Sequence, residues 1–252
     1  MKRFFSLFSF LFLLSFCLQA QGLKGIIKNT TKKDSSDKTS VDRMLGMPGA
    51  KSALSNEEII GGLKEALQVG AKKGTVKLSS VDGFFKDAVI KILMPEEAKK
   101  AEKTLRNMGL GKQVDNAILS MNRAAEDAAK SAAPIFINAI EGMSFQDALS
   151  ILRGGDNAAT TYLKDKTTIS LMEAFRPVIE NSLTKVDATK YWNTLFTTYN
   201  KFSSEKVNTD LSAYVTEKAL TGIFYQVAQE EQKIRKDPFA RTSDLLKKVF
   251  SN

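Results

Sequence analysis

From Ser55 onward, apolar side chains recur at three- and four-residue spacings, and each run is bracketed by residues that start or stop helices. A period near 3.6 buries one face of an α-helix and leaves its other faces wet, which confines the chain to helix-on-helix packing. Ser55-Asn56-Glu57-Glu58 has the spacing of a capping box, ahead of Ile59, Ile60, Leu63 and Leu67, with Gly74 as the expected stop. The pattern loosens between Lys77 and Met94, where Val89 to Leu93 reads as a short strand or an extended connector before Pro95. Pro95 suits the first turn of a helix that stops at Gly109. The next helix spans Gly111 to Lys130, with Val114, Ile118, Met121, Ala125 and Ala128 on one stripe. Pro134 marks a break or kink before Ile135 to Glu141.

Ser144 is placed to cap a short helix ending at Gly154-Gly155, and Asp156 to cap the following one. A helix from Ile169 to Lys185 carries Leu171, Met172, Phe175, Val178, Ile179 and Leu183 on its apolar face, with Pro177 opposite. Asp187 is placed to cap a helix to Phe202, a long helix follows from Ser212 to Arg235, and Thr242 is placed to cap the last, to Phe250. The expectation is an all-α fold, a single compact multi-helix domain of about nine helices over residues 55–252, without internal repeats or a sustained heptad.

What precedes that domain reads differently. Met1-Lys2-Arg3 followed by the Phe- and Leu-rich run to Leu18 has the form of a secretory signal peptide, residues 1–20, with cleavage expected between Ala20 and Gln21. The rival is lipidation at Cys17, which wants a smaller residue than Phe16 before it. Residues 21–54 are poor in apolar side chains and read as a flexible basic tether, with seven Lys and Arg against three Asp. The tether is either a solvated spacer or an arm for anionic headgroups and wall polymers. The helical part has 28 basic against 25 acidic residues, so the basic character is largely that of the tether. These features predict an exported protein, periplasmic or secreted, with no transmembrane segment in the mature chain. They do not predict a nucleic-acid partner, since no interleaved basic and aromatic motif appears.

Four stretches, LSNEEIIGGLKEAL from Leu54, SMNRAAEDAA from Ser120, LRGGDNAATTYL from Leu152 and the long VTEKALTGIFYQVAQEEQKIRKDPFARTSDLLKKVF from Val215, resemble a family of exported bacterial proteins catalogued as domain of unknown function 4197. The resemblance runs from Ser55 to Phe250. It implies an exported, largely helical domain and carries no activity with it.

The chain has no His and a single Cys. That excludes histidine-based nucleophile activation, histidine-ligated zinc, thiolate metal clusters and an internal disulfide framework. Carboxylates are left as the chemistry-bearing groups, and no cofactor is predicted. In the long C-terminal helix, Val215, Ala219, Leu220, Ile223, Phe224, Val227 and Ile234 define an apolar arc. Glu230 and Glu231 project into it, and Glu217 lies at its edge. A carboxylate in that position must be paired, hydrogen-bonded, metal-bound or protonated. Arg235, four residues beyond Glu231, is a ready partner. The pair is open to four readings: a ligand or substrate group, an oxygen ligand for calcium or magnesium, an exposed pair past the end of the core, or part of an ion-pair network with Arg123, Arg153 or Arg176.

Asn122 and Glu126 stand four apart beside the stripe of their own helix, and form either a polar ligand site or an interhelical hydrogen-bonded face. Arg123 and Asp127 suggest an outer-face pair. All five Tyr and the only Trp (Tyr162, Tyr191, Trp192, Tyr199, Tyr214 and Tyr225) fall in the C-terminal half, which places any pocket there. Tyr191, Leu195 and Tyr199 share a helix face that fits core or groove alike. The candidate ligand-binding set is therefore Glu230, Glu231, Arg235, Glu217, Tyr162, Tyr225, Arg176, Asn122 and Glu126. The leading expectation is a non-catalytic binding or interaction protein of the cell envelope, with a lipid, glycan or protein ligand. The alternative is a carboxylate-dependent hydrolase of cell-wall or extracellular glycan, which needs two carboxylates facing one cleft at about 5–9.5 Å.

Overall fold

The computed structural model describes residues 55–202, 204, 206–237, 240–241 and 243–249. The signal-peptide and tether expectations, the Thr242 cap and Phe250 lie outside the described residues. What is described is all helical, with no strand: α1 (Asn56–Ser79), a 3₁₀ turn (Glu96–Ala98) leading into α2 (Lys99–Asn107), α3 (Gly111–Ala129), α4 (Ala132–Glu141), α5 (Phe145–Arg153), α6 (Ala158–Lys185), α7 (Ala188–Phe202), α8 (Leu211–Lys236) and α9 (Asp244–Val249). Among the described residues six helices have ten residues or more, and the other three are short pieces of nine, nine and six. The expected set of about nine helices thus resolves, among the described residues, into six longer helices and three short segments.

The local signals explain where most helices begin. Ser55 accepts from the Glu58 amide while the Glu58 carboxylate takes the Ser55 amide, and Ser144 and Asp147 repeat this arrangement at α5. Gly109, at φ 82, closes α2 in the left-handed conformation that glycine tolerates. Pro134 sits in the first turn of α4, where its missing N–H costs nothing. Pro177 is exposed on α6 and the helix continues through it. The segment from Val89 to Leu93 is a connector of turns and extended backbone, not a strand.

Three expectations about these helices are corrected. Gly74 does not end α1: a Cβ there would lie 3.4 Å from the Gln226 side chain, so this glycine serves the close approach of α8. The helices expected at Asp156 and at Ile169 are one helix of 28 residues, α6. Met172, expected on its buried stripe, is exposed together with Ile169.

The core is built by α1, α3, α6 and α8, which pack on one another, with α4 filling against α1 and α6. α3 brings a run of small buried residues, Ala124, Ala125, Ala128 and Ala129, that lets its neighbours come close. Phe84, Phe136, Phe175 and Phe196 are the largest fully buried side chains, and Phe136 meets Phe224 edge to face at 6.0 Å. Gly222 of α8 faces the Phe84 ring, and an added Cβ would meet it at 2.4 Å. Two helices sit at the margin: α2 packs on α3, while α7 leans on α6 and α8.

Candidate functional site

Glu231 is 6% exposed and its two oxygens are fully engaged. Oε1 accepts from the Ala159 amide at 2.9 Å and from Arg235, while Oε2 accepts from the Thr160 amide and hydroxyl, each at 2.8 Å. These amides belong to the first turn of α6, whose own Asn157 provides no side-chain cap. Glu231 therefore caps a helix whose first-turn amides lie 71 and 72 positions earlier, placing its negative charge at the positive end of that helix. Asp156, expected to be the cap, pairs with Lys236 at 2.6 Å instead. Arg235 completes the joint by donating to the Ile151 carbonyl at the end of α5. One ion pair thus fastens the ends of three helices.

Glu230 lies on the neighbouring face, against α1. It accepts from Gln226 at 3.1 Å and from Lys233 at 2.6 Å, and Gln226 in turn takes a bond from Lys77. Asn122 is fully buried and grips the connector: its carbonyl accepts the Ile92 amide and its amide donates to the Ile92 and Ile118 carbonyls. One turn further, Glu126 accepts the Phe84 and Phe85 amides and the Arg123 guanidinium. Arg123 also reaches Asp82 at 2.7 Å, so it turns inward to the connector and does not pair with Asp127. Both acids hold its guanidinium more firmly protonated, Glu126 foremost. Asp127 pairs with Lys130, which is the main cause of its lowered pKa.

The other candidates are scattered. Glu217 is exposed on α8. Arg176 forms an exposed pair with Asp210, the residue that caps α8. Tyr162 is half-buried beside the Ala139 carbonyl, and Tyr225 is half-buried against the core. Tyr214 donates to the Leu93 carbonyl at 2.8 Å, and burial pushes its pKa up to about 12. The side chains of Tyr191, Leu195 and Tyr199 lie outside the described residues. Among the described residues, no three carboxylates converge as a metal ion would require.

The main concavity lies elsewhere. A half-open cleft of about 920 Å³ separates α2 and α3 from the end of α6, α7 and the start of α8. Its walls are mostly apolar: Met94, Leu105, Leu110, Val114, Leu119 and Met121 on one side, with Val186, Trp192, Phe196 and Leu211 on the other. Glu102, Gln113, Asn116, Ser120, Arg123, Asp127 and Lys185 add polar groups. Trp192 packs against Phe196 with ring centres 4.3 Å apart and donates its indole N–H to the Asn208 carbonyl, which fixes its ring in the wall. None of the nine residues singled out from the sequence lines this cleft. Only Trp192, from the wider aromatic set, does. Asn122 and Glu126 act behind it, holding the connector that carries Met94 and orienting Arg123.

The size falls in the range of ligand pockets, roughly 300–1,000 Å³, and so does the character: apolar walls with few polar groups. The two carboxylates in the cleft are each neutralised, Glu102 by Arg106 and Asp127 by Lys130. Among the described residues no helix is long and apolar enough to cross a membrane. No curated protein and no solved structure matches the chain. One family model, described as a protein of unknown function, DUF4197, matches residues 53–251, nearly the whole of the helical domain, and the chain belongs to that family.

Proposed function

We propose that this is a non-catalytic binding protein of the bacterial cell envelope, exported by its first twenty residues, that holds an apolar or amphipathic small molecule in the cleft between α2, α3 and α7. The observation that supports it is the cleft itself: some 920 Å³ walled by Met, Leu, Val, Trp and Phe side chains and open on one side. Apolar surface left facing water gains free energy on being covered, at about 25 cal/mol per Å². A concavity of this size with apolar walls and a few polar groups has the character of a small-molecule site. The glycan-hydrolase reading lacks comparable support, because each carboxylate in the cleft already has a cationic partner.

Trp192 is the only tryptophan of the chain and lines the cleft, so its emission reports on that site alone. Titration with an environment-sensitive apolar dye should give saturable energy transfer from Trp192, with about one dye per chain. Ala117→Phe, which projects a ring from α3 into the same space, should abolish it while leaving the helical circular dichroism intact. Non-saturable transfer, or saturable transfer that survives Ala117→Phe, would refute the reading.

A further inference from the structure

Resting on that reading, the charges around the cleft narrow the ligand class. Three of the four charged side chains that line it are already matched. Glu102 pairs with Arg106 at 2.9 Å, Arg123 bridges Glu126 and Asp82, and Asp127 pairs with Lys130 and accepts from Ser182. Lys185, in the last turn of α6, is the fourth. It is exposed and makes no ion pair among the described residues. It adds to Asp127 only a through-space field, on a carboxylate that Lys130 already neutralises. Beyond it the chain turns at Asp187 into the first turn of α7, which begins on the cleft wall at Ala188, so Lys185 stands at the mouth of the cleft.

The apolar walls and this one unpaired cation at their edge together describe an amphiphile with a long apolar body and a single negative end. We infer that the cleft takes a free long-chain fatty carboxylate, its alkyl chain against Leu105, Val114, Met121, Trp192 and Phe196 and its carboxylate at Lys185. A neutral hydrocarbon would leave Lys185 unused, and a cationic amphiphile would meet it as a like charge. A dianionic headgroup would find one unmatched cation where it needs two. The position of Lys185 at an exposed edge allows the charged end to stay hydrated while the chain is buried, as amphiphiles require.

The test is displacement of the apolar dye, read by Trp192 energy transfer, with palmitate, hexadecanol and hexadecylamine as competitors of equal chain length. Palmitate should compete about tenfold more tightly than hexadecanol, the gain of one charge-assisted contact at a partly wet site. Hexadecylamine should be the weakest. Lys185→Glu should erase or invert that order, whereas Lys72→Glu, on α1 away from the cleft, should preserve it. Equal competition by palmitate and hexadecanol would overturn the inference while leaving a binding cleft for apolar molecules intact. So would a palmitate preference that persists in Lys185→Glu. Failure of all three competitors to displace a dye whose binding is saturable and lost in Ala117→Phe would overturn this inference alone, whereas a dye signal that is not lost in Ala117→Phe would overturn the binding reading itself.

Discussion

Glu230 and Glu231 are neighbours in sequence with the same chemistry, yet their surroundings assign them different weights. Glu231 satisfies two first-turn amides of α6, a threonine hydroxyl and Arg235, whose side chain is only 13% exposed. Removing it leaves a nearly buried guanidinium without its counter-charge and two first-turn amides without their acceptor. Glu230 is held chiefly by Lys233, which stands 58% exposed and can return to water. We therefore expect Glu231→Ala to cost about 3–5 kcal/mol and Glu230→Ala about 1 kcal/mol, compared by urea midpoints at constant m. Equal costs would mean that the α5–α6–α8 joint does not depend on Glu231. The apolar arc of α8 was enough to identify both residues as anomalous and Arg235 as a partner. It gave no sign of Ala159 and Thr160, because a cap supplied from another helix leaves no local pattern. The same holds for Asn122 and Glu126, whose partners are backbone groups of the connector 30 to 42 positions earlier.

At the scale of elements, the helix ends that were legible are those whose partners lie three residues apart, as at Ser55–Glu58 and Ser144–Asp147. Gly74 misled because a glycine that lets two helices touch looks, in sequence, like one that ends a helix. The same local contacts set the response to pH. Asp147 is pulled below the usual carboxylate range by the Ser144 hydroxyl and amide, Asp82 by Lys86 and Arg123, Asp127 by Lys130 and Asp156 by Lys236. A carboxyl whose folded pKa is depressed stabilises the fold above its unfolded pKa, and that contribution is lost as pH falls through the folded value. With no His in the chain, little titrates near neutrality. Melting temperature should thus be almost flat from about pH 6 to 8 and fall below about pH 4, as the aspartates protonate. Asp147→Asn should melt below wild type at neutral pH, with the gap closing toward about pH 2.5 as the native carboxyl protonates. A gap that stays constant across that range would show that the ionised carboxylate does not stabilise the α5 cap.

The whole molecule divides into an interior and a margin. α1, α3, α6 and α8 bury one another, while α2 rests mainly on α3, and α7 on α6 and α8. The cleft lies where these marginal elements meet the interior, so each wall formed by α2 or α7 has the cleft on one side and little packing on the other. No sequence pattern announces such a place. Its walls come from five elements, and each wall residue reads as an ordinary core position in its own helix. Local stability follows buried apolar contact, and elements with less of it open at lower free energy than the global transition. Amides of α2 and α7 should therefore exchange with solvent well before those of α1, α6 and α8 under native conditions. A molecule that fills the cleft should slow exchange in α2 and α7 selectively, because it supplies the apolar contact those helices lack, and it stabilises only the closed form. Native-state hydrogen exchange with and without palmitate tests this directly. Uniform protection across all the helices, or a ligand effect concentrated at the Glu231–Arg235 joint, would mean that the cleft is packing left incomplete and that binding occurs elsewhere.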